Sequence, residues 1–222
     1  MSEFNQQSLW DGYEGNYSGD IIAGEVLRFC RKHVGNKAID IGGGSGSLVR
    51  AFRARFGSGR TIVGIDYAPK SSDVERGDAT NLRFGENEFD TIFLLDVIEH
   101  LTDSDLRKCF AEIRRVLRVG GCLILTSPNS EDLKQNIVTC PECKCRFHRW
   151  GHQRSFSAAD LIMLLGSKGF QVDQCLETNL VAYAKGGWPA RLAFAIRADR
   201  IGLLRGLPWH VDLLVVARKS SP

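Results

Sequence analysis

Residues 140 to 156 read CPECKCRFHRWGHQRSF and place three of the chain's seven cysteines and two of its five histidines in one short segment. A Cys140-x-x-Cys143 pair can wrap one edge of a tetrahedral ion, and His148 and His152, four residues apart, can close the other. The spacing C-x2-C-x4-H-x3-H is close to that of a zinc knuckle. It predicts a structural zinc on Cys140, Cys143, His148 and His152. Cys145 opens a competing set, Cys140, Cys143, Cys145 and His148, which would release His152 for chemistry. The C-x-x-C pair does not open a helix, which argues against a thioredoxin-like redox role. Arg146, Phe147, Arg149 and Trp150 interleave cations with rings, an arrangement that single-stranded nucleic acid could use.

A second set of reactive positions surrounds AIDIGGGSGSLVRAF. Gly42, Gly44 and Gly46 lie where a strand gives way to a helix, and without β-carbons they let backbone N–H groups approach a ligand. A dinucleotide fingerprint wants a further glycine where this chain has Ser47, so a pyrophosphate is poorly matched. Asp66 ends the following strand, placed to hydrogen-bond both hydroxyls of a ribose. Gly77-Asp78-Ala79 precedes the strand FDTIFLL, which leads into DVIEHL.

These motifs together, the D-x-G-x-G-x-G loop, the acid ending strand two, the GDA step, the FDTIFLLDVIEHL run and LRVGGCLILTSPN, resemble class I S-adenosylmethionine-dependent methyltransferases over about residues 20 to 180. The resemblance implies that Asp40 and the backbone of Gly42 to Gly46 surround the methionine part of the cofactor. It further implies that Asp66 binds the ribose, that Asp78 and Ala79 meet the adenine, and that Asp96 sits beside the methionine portion. GHQRSFSAADLIMLLGSKGF is similar to a segment of small-molecule methyltransferases in which a histidine before the penultimate helix faces the reaction centre. On that basis His152, His100 and Glu99 are the expected catalytic residues, with His152 or His100 as base. The Asp96-x-x-Glu99-His100 step also resembles the divalent-metal site of RNA 3′-terminal 2′-O-methyltransferases, although Asp stands at the first acidic position. The expected activity is O-methylation of a small molecule or a glycan- or lipid-linked precursor. The alternatives are RNA 2′-O-methylation with a divalent ion, or a methyltransferase-like nucleic-acid-binding module that uses the knuckle.

The elements that must position these residues alternate between helical and extended patterns, as expected of a parallel sheet with crossover helices. Ile22, Val26, Leu27 and Phe29 share a helical spacing; KAIDI and TIVGID read as strands, and SLVRAFRARFG as a helix stopped by Gly57. FDTIFLLDVI is almost continuously apolar, the signature of a central strand covered on both faces. Leu106, Phe110, Ile113 and Leu117 repeat at helical spacing, with Asp103 or Ser104 as the expected cap and Gly120-Gly121 as the stop. CLILTSPN, FQVDQCLETN and HVDLLVVARK supply further strands, and Ser157 opens a helix that Gly169 closes. The fold class expected is α/β: a Rossmann-like, doubly wound, seven-stranded mixed sheet with its last strand antiparallel, plus a small zinc-binding insertion.

A single domain over 1–222 suits the length, with 1–36 as a helical N-terminal cap, 130–156 as the Cys/His insertion and 185–209 as a helical lid. The 185–209 segment carries Leu192, Ile196 and Leu203 on one face and Phe194 and Ile201 on nearly the opposite one, with Arg191, Arg197, Arg200 and Arg205 between them. A net charge of +3, from 29 basic and 26 acidic residues, is too small to announce a nucleic-acid or membrane partner. No run of ~18 apolar residues occurs, and the start lacks a signal-peptide pattern, so a cytoplasmic location is expected. Cys30, Cys109, Cys122 and Cys175 stand alone in apolar patterns as buried thiols. The expected partner is a small-molecule or lipid- or glycan-linked acceptor. Nucleic acid and a peripheral membrane surface stand as alternatives, and the oligomeric state is not legible.

Overall fold

A computed structural model describes residues 18–186 and 212–221. Seven strands make one sheet: β1 (Lys37–Ile41), β2 (Thr61–Asp66), β3 (Val74–Arg76), β4 (Phe89–Leu95), β5 (Leu117–Pro128), β8 (Phe170–Thr178) and β9 (Asp212–Lys219). Their order is β3-β2-β1-β4-β5-β9-β8. The pairings from β3 across to β5 are parallel, and β9 runs antiparallel to both β5 and β8. This is the doubly wound sheet with an antiparallel last strand that the sequence implies. Its order reverses between β1 and β4, and the crevice outside the carboxyl ends of the strands at such a reversal is where open α/β sheets bind ligands.

Alternation along each strand divides the core in two. On one face Ile39, Ile41, Ile92 and Leu94 pack with Leu106, Phe110 and Ile113 of helix α3 (Asp103–Val116) and with Leu161 and Leu165 of α4 (Ala158–Ser167). On the other, Ala38, Phe93, Leu95 and Ile124 pack with Ile22, Val26 and Leu27 of α1 (Ser18–Phe29) and with Leu48 and Phe52 of α2 (Ser47–Phe56). A strand covered on both faces must be apolar at consecutive positions, and Ile92, Phe93 and Leu94 are each fully buried.

Two boundaries depart from the sequence reading. Thr102, rather than Asp103 or Ser104, caps α3, its side chain accepting from the Asp105 N–H. Gly120 and Gly121 lie inside β5, which begins at Leu117 directly after the helix. The Leu117 side chain is buried against the core and the register against β4 shifts there, so a pleat irregularity does the work assigned to a glycine stop. Ser157 opens α4 as expected, in a reciprocal capping box with Asp160.

A hairpin of β6 (Ile137–Thr139) and β7 (Arg146–His148) stands apart from the main sheet and carries the cysteine cluster at its tip. Beyond β8 a helix begins at 180 and continues to 186, the last residue described before 212. The lid expected at 185–209 lies outside the described residues apart from its first two, and so does the part of the N-terminal cap before residue 18. No helix among the described residues is long and apolar enough to cross a membrane.

Candidate active site

The loop from β1 to α2 is built by glycines. Gly42, Gly44 and Gly46 have φ of +81°, +47° and +82°, a region other residues adopt only with strain. At Gly42 space is also decisive, because a β-carbon there would stand 2.4 Å from Cγ2 of Val97. The N–H groups of Gly42 and Gly43 both donate to the Ile65 carbonyl at 2.9 Å, and the Gly44 N–H donates to Oδ2 of Asp66 at 2.9 Å. Oδ1 of Asp66 accepts from the Ala68 N–H at 2.8 Å. The Asp66 carboxylate therefore ties the glycine loop to the end of β2. Asp20 of α1 hydrogen-bonds the Ser45 hydroxyl from above the loop, a contact that sequence spacing gave no means of finding.

A cleft of about 350 Å³ opens at the carboxyl ends of β1, β2 and β4, within the size of a small-molecule site. Asp66, Asp78, Asp96 and Asp105 contribute carboxylates to its wall, and Ile41, Ile65, Tyr67, Ala79, Val97 and Leu101 contribute apolar surface. Gly42 and His100 also line it, whereas Asp40, Gly44 and Gly46 lie outside the lining. No Lys or Arg is among the described residues that line it. Oδ1 of Asp78 accepts from the Thr80 N–H and hydroxyl at 2.7 and 2.8 Å, which fixes the turn that carries Ala79. Asp96 sits at φ +53°, held there by its N–H on the Thr126 carbonyl and by the Thr126 hydroxyl, which donates to Oδ1 at 2.7 Å. Asp40 is on the face of β1 towards α1 and α2 and is 2% exposed. Burial, and then the neighbouring Asp66 and Asp20 charges, push its carboxyl up to about 8.

Behind the cleft the three expected catalytic residues come together. Glu99 is 1% exposed, and burial raises its carboxyl far above the ordinary range. The Ser127 hydroxyl donates to Glu99 Oε2 at 3.3 Å, while Oε1 has no hydrogen-bond partner among the described residues. The Gln153 N–H donates to the Glu99 carbonyl at 2.7 Å, bringing the chain after His152 against the end of β4. The His100 and His152 rings meet edge to face, 4.7 Å between centroids. Burial and then the His152 ring lower the His100 pKa to about 3, so its imidazole is neutral at physiological pH. His152 stacks on His148 at 4.5 Å and 19°, and Nδ1 of His152 lies 2.5 Å from Oε2 of Glu131. Sequence spacing missed Glu131, which stands alone ahead of a short 3-10 turn at Leu133–Asn136 with no periodic partner.

The four ligands expected for zinc do not come together. Cys140, Cys143 and Cys145 form one group of converging sulfurs, and His148 and His152 belong with Glu131. The hairpin is the cause. The Cys140 N–H donates to the Cys145 carbonyl and closes its tip, while His148 pairs with Ile137 at its base. Three residues of strand, roughly 10 Å, separate Cys145 from His148. His148 is 5% exposed there while Cys143 is exposed, which breaks the competing set of Cys140, Cys143, Cys145 and His148 as well. The Cys143 thiol approaches the Cys145 sulfur at 3.0 Å, and this contact lowers the Cys143 pKa. Of the solitary cysteines, Cys30, Cys109 and Cys122 are buried and Cys175 is partly so.

A family model described as a methyltransferase domain matches residues 39–125, the stretch that contains the glycine loop, Asp66, Asp78 and Asp96. The chain is 27% identical over 145 residues to the ubiquinone/menaquinone biosynthesis C-methyltransferase UbiE of Hydrogenovibrio crunogenus, covering 54% of this chain and 56% of that protein. The chain spans about half the length of the curated relatives it matches. Its fold is similar to a Burkholderia thailandensis 1,6-didemethyltoxoflavin-N1-methyltransferase with bound 1,6-didemethyltoxoflavin and S-adenosylhomocysteine. That likeness has a TM-score of 0.61 at 15% identity and covers 97% of this chain and 83% of the other. A SAM-dependent methyltransferase of Methanosarcina mazei aligns with a TM-score of 0.59 at 15% identity, over 87% of this chain and 98% of that one.

Asp40 generates a pH prediction. Its folded pKa of about 8 lies above the ~3.9 of an unfolded aspartate, so the native state keeps a proton that the unfolded chain releases. Its contribution to stability therefore falls as pH rises from about 4 towards 8 and stays low above that. Asp40→Asn removes the titration. Urea unfolding should give similar stabilities for the two proteins at about pH 4, with the variant ahead by on the order of a few kcal/mol at about pH 8. Parallel pH profiles would show that Asp40 ionises freely in the fold.

Proposed function

We propose that this chain, which has the class I S-adenosylmethionine-dependent methyltransferase fold and carries a methyltransferase domain, transfers the methyl group of S-adenosylmethionine to an oxygen of a small-molecule or lipid- or glycan-linked acceptor. The observation that carries the reading is the wall of the cleft, to which four aspartates and no lysine or arginine contribute among the described residues. Such a site disfavours a pyrophosphate and favours a ligand that is cationic and rich in hydroxyls. S-Adenosylmethionine has a sulfonium, an ammonium and a ribose diol, and no phosphate.

Within this reading Asp66 receives the ribose hydroxyls, Asp78 and Ala79 border the adenine, and Asp96 and the loop from Gly42 to Gly46 flank the methionine portion. Asp40, which keeps its proton in the free protein, gains a charge beneath the loop only as a cationic ligand favours its ionised form. Methyl transfer is an in-line displacement: the acceptor oxygen bonds to the methyl carbon as the carbon–sulfur bond breaks and the sulfonium becomes a neutral thioether. Alignment supplies much of the acceleration. An acceptor hydroxyl must also lose its proton, and the Glu99, His100 and His152 cluster is the group that handles it. The support for that role is position, since His100 lines the cleft directly and contacts His152 behind it.

The thiolate group fits zinc in part. Cys140, Cys143 and Cys145 supply three soft ligands with converging sulfurs, and a tetrahedral structural site needs a fourth beyond this group. Zinc there would lock the tip of the β6–β7 hairpin.

Two measurements check these assignments. Asp66→Ala should weaken S-adenosylmethionine binding in calorimetry by about 1.5–3 kcal/mol, the range for hydrogen bonds to a charged group. An unchanged affinity in a folded variant would remove Asp66 from the ribose site. After dialysis, metal analysis should find zinc in the wild type, and Cys143→Ser should lose it. Zinc retained in the variant would move that metal away from the hairpin tip.

A further inference from the structure

We infer that Asp212 and Thr178, beside Asp96, form an acceptor subsite that takes a protonated amine, so that the acceptor is a hydroxylated ammonium compound of the amino-sugar kind. That the bound molecule is a methyl acceptor rests on the methyltransferase reading, whereas the binding of the ammonium does not.

The sheet sets these side chains in a row. Beyond β4 the strands β5, β9 and β8 lie side by side. Thr126 pairs with Leu214, and Asp212 pairs with Pro128 on one side and Thr178 on the other. Leu214 and Leu176 face the core beneath α1 and α2. Alternate positions of a strand share a face, so Asp212, Thr178 and Thr126 stand on that same side. Directly opposed residues of an antiparallel pair keep their β-carbons about 4.5–5.5 Å apart, which puts the Thr178 side chain next to the Asp212 carboxylate. Thr126 in turn holds Asp96 through its hydroxyl. The row therefore starts in the cleft wall at Asp96 and leads away from Asp78 and Ala79. A cofactor with its adenine against Asp78 and Ala79 has this row at its other end, where an acceptor can meet the methyl group.

Charge selects the occupant. Asp212 is partly buried, and burial pushes its carboxyl up to about 6, opposed by the Leu180 N–H and reinforced by the Asp96 charge. The Leu180 N–H donates to Oδ2 at 2.8 Å. No lysine or arginine among the described residues is a cause of the shift. A carboxylate repelled by a second one favours a cation beside it. Thr178 is the independent observation. It is 3% exposed, and its Oγ1 is buried with no hydrogen-bond partner among the described residues. Leaving a buried hydroxyl in that condition is costly, and a donor from a ligand removes the cost. An ammonium group has three donors, so it can serve Asp212 and the Thr178 oxygen together while easing the repulsion from Asp96. A neutral hydroxyl has one donor and leaves the repulsion in place.

The test is a calorimetric titration of protein saturated with S-adenosylhomocysteine, using glucosamine and its uncharged counterpart glucose. Glucosamine should bind at least about 10-fold more tightly than glucose. Asp212→Asn should reduce that preference to about 2-fold or less, and Thr178→Val should weaken glucosamine about 3- to 10-fold. Asparagine keeps an oxygen for the Leu180 N–H, and valine replaces an unpartnered hydroxyl with a methyl group, so both variants should fold. Thermal melts establish this, and Asp212→Ser stands in if the asparagine variant is unfolded. Equal binding of the two sugars, no detectable binding of either, or an undiminished preference in folded Asp212→Asn overturns the subsite. So does Asp212→Asn weakening S-adenosylhomocysteine while the glucosamine preference persists, since Asp212 would then serve the cofactor. Repeating the titrations without S-adenosylhomocysteine keeps the two readings apart. Glucosamine binding that depends on Asp212, in a protein that does not bind S-adenosylhomocysteine, supports the ammonium subsite and refutes only the methyltransferase reading.

Discussion

The approach of Gly42 to Val97 is the constraint on which the rest of the site depends. A β-carbon at Gly42 would stand only 2.4 Å from the valine methyl, so any other residue there would force Val97 or the chain leaving β1 to shift at the reversal of strand order where the cleft lies. That passage brings the N–H groups of Gly42 and Gly43 to the Ile65 carbonyl and that of Gly44 to Asp66. The carboxylate at the end of β2 is in this way a structural tie as well as a candidate ligand group. Asp96, held at a positive φ by Thr126, closes the opposite side with a strained residue fixed by its neighbours, a pattern common at functional sites.

The site also concentrates buried acid. Asp40 and Glu99 are both almost fully buried, and burial raises the pKa of each. Carboxyls held this way oppose stability at neutral pH, and a cationic ligand offsets that cost by favouring their ionised forms. A bound cofactor would supply such a charge over the glycine loop.

Much of this was legible in the sequence because it depends on local rules. Period-2 alternation and uninterrupted apolar runs located the strands, and the glycine loop, Asp66 and the Gly77-Asp78-Ala79 step marked the carboxyl ends of the first strands. What escaped depends on how distant segments meet. Cys140, Cys143, His148 and His152 have ligand spacing in the chain, but a hairpin converts that spacing into a tip and a base, with sulfurs at one end and imidazoles at the other. Glu131 had no motif around it, and its value comes from a turn that sets it between two rings. Thr102 took the cap from Asp103 because helix starts are settled by backbone angles at a single residue, which composition specifies only to within a position or two.

The central claim is that the cleft at the ends of β1, β2 and β4 receives S-adenosylmethionine. A crystal structure with S-adenosylhomocysteine tests it most directly. The account predicts the ribose hydroxyls on the Asp66 carboxylate, the adenine against Asp78 and Ala79, and the amino-acid end over the loop from Gly42 to Gly46 towards Asp96. A nucleoside bound elsewhere, or an empty cleft in crystals saturated with the ligand, would contradict it.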